Sequence, residues 1–284
     1  MIVITAASGK LGAALAEKLA ERGLAAQVRL AVRSPEKLAA RKAQGFEVVA
    51  ADYDDAGGLK AAFAGADIAL LISGVGPNEV RIRQHHNAID AAKAAGVTRI
   101  VYTSATNPVA ASRFDWAAAH EATEAELKAS GLAWTILRDN SYFANNDPLF
   151  ADAVKNGVLP FPGIAAKVAY VSHDDVAESL IGAITGTGHD NRVYEIAGAT
   201  AYSAVELAAL LTELTGRKVD ALDVPVRAFE DQFLAMGLPD WVASGVASFY
   251  AALGAGEYAQ TSGDVERLAG RPSTTARAYL KAFV

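Results

Sequence analysis

The sequence predicts an α/β fold: a doubly wound parallel sheet with a smaller, interleaved C-terminal α/β lobe. Three observations carry this reading. Short apolar runs alternate with segments of helical period over residues 1–140, a glycine-containing turn directly follows the first run, and after Arg138 the rhythm breaks up. Buried strands between helices imply a parallel sheet covered on both faces and wound right-handed at each crossover.

Taken in order, Ile2-Val3-Ile4 is too short for a helix and reads as the first strand. Leu11 to Arg22 has Leu11, Leu15 and Leu19 at helical spacing with charges between them. Val28 to Val32 is the second strand, with a helix starting near Ser34-Pro35. Glu47 to Ala50 is the third, followed by a helix through Leu59 and Phe63. Ala66 to Ile72 and Arg99 to Thr103 are further strands, separated by a helix from about Val80 to Ala95. Ala117 to Ser130 is a helix stopped by Gly131, and Ala133 to Leu137 the next strand. Beyond it, Pro148, Asn156-Gly157, Pro160, Pro162 and Gly163 interrupt the pattern. Residues 1–140 therefore read as one unit, with segments in 168–198 (Tyr170 to Ser172, Arg192 to Ile196) returning to its sheet edge. Residues 141–284 read mainly as the second lobe.

Composition narrows the function. The chain has 284 residues, 26 Lys+Arg against 32 Asp+Glu for a net charge of −6, and no cysteine. It can bury a full core, and mild acidity without basic blocks argues against nucleic-acid or anionic-membrane partners. Disulfides, thiolate metal sites and a Cys nucleophile are excluded. Apolar runs are broken by charges too early to span a membrane, and the opening residues lack the pattern of a signal peptide. A cytoplasmic protein is expected.

Thr5-Ala6-Ala7-Ser8-Gly9-Lys10-Leu11-Gly12 lies between the first strand and the first helix, where a dinucleotide-binding fold places its pyrophosphate loop. Such a loop needs backbone N–H groups, little side-chain bulk and a helix N-terminus facing the anion. Gly9 supplies close approach, and Gly12 lets the helix lie against the sheet. Ala6 stands where a G-x-x-G-x-x-G pattern has its first glycine, so the turn there is expected to keep φ negative. The second strand ends in Arg33, not in the acid that binds a ribose 2′-hydroxyl, and its planar fork suits the 2′-phosphate of NADP, with Lys37 or Lys10 adding charge. Asp52, after the third strand, either meets the adenine amino group or caps its loop. Ser73-Gly74-Val75 and Thr103 follow the fourth and fifth strands at the carboxyl edge, where small residues admit ribose and nicotinamide.

Together these segments resemble the NmrA-like branch of atypical short-chain dehydrogenases/reductases, and within it they are similar to type 2 NAD(P)H:quinone oxidoreductases and triphenylmethane reductases. The resemblance covers almost the whole chain and rests on MIVITAASGKLG, AVRSPEK, ADYDD, ALLISG, QHHNAIDAAKAAGVTRIVYTS, HEATEAELKASGLAWTILRDNSYFAN, VYEIAG and LAGRPSTT. It implies a Rossmann-type domain binding NADP(H) and reduction of quinones or related conjugated acceptors. It places the pyrophosphate on Ala6, Ala7, Ser8, Gly9, Lys10 and Leu11, and the 2′-phosphate on Arg33. Ser73 to Val75 and Leu137, Arg138, Asp139, Asn140, Ser141 and Tyr142 would line the rest of the cleft. Relatives have Arg-Asn-Gly-aromatic where this chain has Arg138-Asp139-Asn140-Ser141-Tyr142.

The parent superfamily uses Tyr-x-x-x-Lys as proton donor. Here the corresponding residues are Trp116-Ala-Ala-Ala-His120, and an indole is no acid. Alcohol–ketone interconversion is thus disfavoured, whereas an acceptor giving a stabilised product needs mainly alignment. His120, with a pKa near neutrality, is the candidate proton relay, or else a structural histidine. Tyr142, Phe143 and Phe161 are candidates to stack on a flat acceptor, or else core filler. His85 and His86 form no metal-ligand motif, and no metal site is expected. The leading expectation is an NADPH-dependent reductase of quinone-like acceptors. A non-catalytic NADP-binding redox sensor and an imine or enone reductase of the same fold are the alternatives, and a homodimer is left open.

Overall fold

The computed structural model describes all residues, 1–284. In chain order the elements are β1 (Ile2–Thr5), α1 (Lys10–Glu21), β2 (Val28–Val32), α2 (Ala39–Ala43), β3 (Glu47–Ala50), α3 (Ala56–Phe63), β4 (Ile68–Leu71) and α4 (Asn78–Ala94). Then come β5 (Arg99–Ala105), α5 (Ala117–Ala129), β6 (Ala133–Asp139), α6 (Asp147–Asn156), β7 (Val158–Phe161), β8 (Lys167–Val168), α7 (His173–Thr185) and β9 (Arg192–Ile196). The chain closes with β10 (Tyr202–Ser203), α8 (Ala204–Thr215), β11 (Asp220–Asp223), α9 (Val226–Ala235), α10 (Asp240–Gly254), α11 (Asp264–Ala269) and α12 (Ala276–Leu280).

Seven strands form one parallel sheet in the order β3-β2-β1-β4-β5-β6-β9. Alternation sends their side chains to opposite faces. Ile4, Leu30 and Val32 pack with Leu15, Leu19, Leu180 and Leu268 on one face. Val3, Ala31 and Leu71 pack with Leu59, Phe63 and Ile89 on the other. The seam between β1 and β4, where strand order reverses, is the point at which an open α/β sheet parts its loops and binds ligands.

Arg192–Ile196 is the edge strand beside β6, as expected. Tyr170 to Ser172 differs: it makes only a single bridge, Val171 to Tyr142, and joins no strand of the main sheet. The backbone turns there into α7, whose N-terminus is closed by a reciprocal Ser172–Asp175 capping box. A third core contains Phe143, Phe150, Leu159, Phe161, Tyr250 and Tyr258 and draws on β5, α5, α6, β7, β8, α8, α9, α10 and α12. It meets the sheet at the carboxyl ends of β5 and β6, through Ala105 and Phe114. No helix is long and apolar enough to cross a membrane.

Candidate cofactor and acceptor site

One cavity of about 860 Å³ runs along the carboxyl edge of the sheet, from the β1–α1 loop to the third core. At its first end, α1 begins at Lys10 after Gly9 with no side-chain cap and no acid in its first turn. Its leading amides therefore lack intrahelical or capping partners, and the positive end of the helix dipole faces the cavity unopposed. A methyl group on Gly12 would lie 2.6 Å from Ala7 Cα, so only glycine lets the helix come this close to the loop.

Ala6 has φ 50°. The expected negative φ is thus corrected: alanine takes the left-handed region where β1 enters the turn that Gly9 N–H closes on the Ala6 carbonyl at 3.1 Å. Such a conformation costs an L-residue on the order of 1–2 kcal/mol, strain of the kind held at binding loops.

Ala6, Ser8, Gly9, Lys10, Leu11, Arg33, Asp52, Ser73, Gly74, Val75 and Thr103 all line the cavity. Arg33 is exposed at the end of β2 and makes no ion pair. The Asp52 side chain accepts a hydrogen bond from the Asp54 amide at 3.0 Å, which is the loop-cap geometry. Thr103 Oγ1 accepts from the Ser73 amide at 3.0 Å and ties the β4 and β5 loops together.

Three expected residues lie elsewhere. Ala7 and Leu137 are fully buried in the core and do not reach the cavity. Leu137 alternates onto the face covered by α7, as its strand register requires. Arg138 also points away: its guanidinium grips Glu124 through Nε–Oε1 at 2.8 Å and Nη2–Oε2 at 2.7 Å, with Glu195 at 3.1 Å. The bidentate pair holds Glu124 below the usual carboxylate range although burial pulls the other way. Arg138 thus secures α5 to β6. Asp139, Asn140, Ser141 and Tyr142, beyond the strand end, do line the cavity.

The aromatic expectation is partly overturned. Phe143 is buried between Tyr170 and Tyr279, stacked at 5.0 and 4.7 Å, and Phe161 is buried against Tyr250. Neither reaches the cavity. Its acceptor end is walled by Phe114, Trp116, Phe233, Phe249, Tyr250 and Tyr258. Trp116 stands at the tyrosine position of the superfamily motif, whereas the α9–α10 aromatics, distant in sequence, carry no motif that marks them. The one local signal is Gly245, where a Cβ would overlap the Trp116 indole.

His120 also lines the cavity, but the near-neutral pKa expected of it is not found. It is buried, its Nε2 lies 2.8 Å from Arg81 Nη2 and its Nδ1 2.9 Å from the Tyr102 hydroxyl. Burial, then the Arg81 charge, hold its pKa well below the ordinary value. No motif in the sequence marks Arg81. It is 3% exposed, faces no carboxylate, and donates to Ser73 Oγ, His120 Nε2 and the Trp116 carbonyl. His86, on the outside of α4, pairs with Asp90 and Glu126, a surface cluster created by the α4–α5 packing.

The uncapped loop helix, the close approach at Gly12 and the long groove fit a dinucleotide. Residues 6–187 match the model of a family described as NAD(P)H-binding. The chain belongs to this NAD(P)H-binding family. It is 36% identical over 275 residues to quinone oxidoreductase 2 of Escherichia coli, covering 97% of this chain and 96% of that one. The structure of the NADPH-dependent quinone oxidoreductase from Escherichia coli complexed with NADPH superposes with a TM-score of 0.93 at 35% identity, covering 99% of each chain. Citrobacter triphenylmethane reductase complexed with NADP(H) gives 0.92 at 29% identity over the whole of both chains. The NmrA-like resemblance, the Rossmann-like fold and NADP(H) as cofactor stand on these likenesses and on the loop described above.

Proposed function

We propose that this NAD(P)H-dependent oxidoreductase uses NADPH to reduce a quinone or similar flat conjugated electrophile by hydride transfer, without a Tyr-x-x-x-Lys donor. The observation that carries the proposal is the continuity of the cavity. Its phosphate-binding loop and its aromatic wall open into one space of about 860 Å³, large enough for a dinucleotide with a flat partner. Bound there, the reduced nicotinamide supplies the hydride.

The protein's own contribution is placement. The α1 amides and Lys10 hold the pyrophosphate, and Arg33, which makes no ion pair, takes the 2′-phosphate. Ser73, Gly74 and Thr103 leave room at the carboxyl edge for the ribose and ring. Trp116, Phe249 and Tyr250 orient a flat acceptor by stacking and keep water from it. On this reading residues 1–140, with 168–198, make the cofactor half, and 141–284 mainly the acceptor half.

The test mixes the protein with NADPH and a panel of quinones and follows loss of reduced-nicotinamide absorbance. Turnover on any member supports the proposal. Tight NADP binding without turnover across the panel favours a redox sensor.

A further inference from the structure

We propose that Asp139 and Tyr142 form a two-residue proton relay that protonates the oxygen of the reduced acceptor; this rests on the reductase reading above. Asp139 stands where the family resemblance has an amide, and both residues line the cavity that also holds the phosphate-loop residues and the aromatic wall. Asp139 is the last residue of β6, in register with Ala105 of β5. Ala105 packs into the core that contains Phe114, Tyr250 and Tyr258, so the carboxyl lies beside the acceptor end.

The geometry is that of a shielded acid linked to a hydroxyl. Asp139 is 7% exposed, and its Oδ2 lies 2.6 Å from the Tyr142 hydroxyl. The Tyr142 ring is held by stacking on His173 at 4.5 Å. Asp139 Oδ1, Ser141 Oγ and Tyr258 Oη are all buried without a hydrogen-bond partner, and all three residues line the cavity. Buried polar atoms left unpaired are costly, and three of them on residues lining one cavity mark it as a place for polar ligand atoms.

No cation neutralises Asp139. Arg138, with Glu124 and Glu195, projects from the opposite side of β6, and Ala105 and Ile196 on the flanking strands carry no charge. Tyr142 stacks on His173, whose pKa burial and then Lys10 lower, and Tyr258 is a further titratable side chain lining the same cavity. Burial pushes the Asp139 carboxyl up to about 7. It therefore exchanges its proton in the working pH range, as a general acid must.

The balance is simple. Hydride brings two electrons to the acceptor and oxidises the nicotinamide, leaving one acceptor oxygen anionic. That oxygen forms its O–H bond with the Tyr142 proton as the Tyr142 O–H bond breaks. Tyr142 recovers its proton from Asp139 Oδ2. The resulting Asp139 carboxylate accepts a charge-assisted hydrogen bond from Tyr142 and is reprotonated from solvent.

The test compares wild type, Asp139→Asn and Tyr142→Phe on two acceptors: a quinone, whose product needs the proton, and a cationic triphenylmethane dye, whose carbon takes hydride alone. The expected result is a drop of at least about tenfold in the ratio of quinone to dye kcat in both variants. Wild-type quinone turnover should fall as pH rises through about 7, and this limb should vanish in Asp139→Asn. Infrared spectroscopy of the cofactor-free protein should show a protonated carboxyl band that titrates there and is missing from Asp139→Asn. An unchanged ratio and pH profile overturns the relay, as does a carboxyl band already absent at acidic pH. If wild type oxidises NADPH with neither acceptor, the reductase reading itself fails and takes the relay with it. Should Asp139→Asn not fold, Tyr142→Phe carries the comparison.

Discussion

Arg81 Nη2 stands 2.8 Å from His120 Nε2, and a guanidinium can only donate. His120 Nε2 is therefore an acceptor, and its single proton sits on Nδ1 and points to the Tyr102 hydroxyl. The same logic runs through the neighbouring ring. Thr123 spends its hydroxyl proton on the Ala119 carbonyl at 2.7 Å, so His85 Nδ1 must donate to Thr123 at 2.8 Å. Burial, and then the Arg81 charge, thus disfavour the protonated form of both histidines.

The first prediction is acid sensitivity. Burial and then Arg81 drop the His85 pKa to about 3, and His120 lies well below its ordinary 6.5. The unfolded chain binds these protons near 6.5, the folded one only at lower pH. Stability is therefore full above 6.5 and is lost as pH falls from there towards about 3, by on the order of 1 kcal/mol per pH unit per ring. Urea midpoints measured on lowering pH should decline, and more gently in His85→Gln. Equal slopes for variant and wild type would contradict the assignment.

The Arg33 guanidinium gives a cofactor prediction. Arg33→Ala should weaken NADPH binding by about tenfold or more, the worth of one charge-assisted contact, and leave NADH binding nearly unchanged. Calorimetric titration with both coenzymes checks it, and an equal loss for both would remove the 2′-phosphate role.

The β1–α1 loop makes opposite predictions at two small residues. Ala6→Gly removes the strain of φ 50° and should stabilise the protein by about 1 kcal/mol, less the entropy that glycine adds to the unfolded chain. Gly12→Ala sets a methyl 2.6 Å from Ala7 Cα and should both lower Tm and weaken NADPH binding. Thermal unfolding with and without NADPH separates the two effects.

Glu124 is an anchor whose loss should act on stability alone. It is 3% exposed and accepts from Arg138, Lys128 and Ser104. Glu124→Gln leaves the half-buried Arg138 guanidinium only its Glu195 partner and should cost about 1–3 kcal/mol. The KM for NADPH should not move in the folded fraction, because Arg138 lies outside the cavity.

At the acceptor end, Phe249→Ala should raise the acceptor KM severalfold with the NADPH Kd unchanged. Phe249 contributes to the wall opposite the phosphate loop. A change confined to NADPH affinity would place the aromatic wall at the wrong end.

The alternation of strands and helices, the loop from Ala6 to Leu11 and the cation at Arg33 were legible because each is local: a period, a turn residue, a strand end. Backbone conformation at Ala6 was not legible, since the residue type favours one region and the path from β1 into the loop takes the other. Leu137, Arg138 and Asp139 are consecutive, yet only the last meets the cavity, because strand alternation and the reach of Glu124 divide them.

By itself, then, the sequence determined which segments form the sheet and where an anion meets a helix N-terminus, because those properties follow from neighbours in the chain. Only the tertiary structure decided what the histidines and carboxyls do. Burial and unpaired charge set their proton affinities, and both arise from residues as far apart as Arg81 and His120, or Asp139 and Tyr258, being packed into one low-dielectric space.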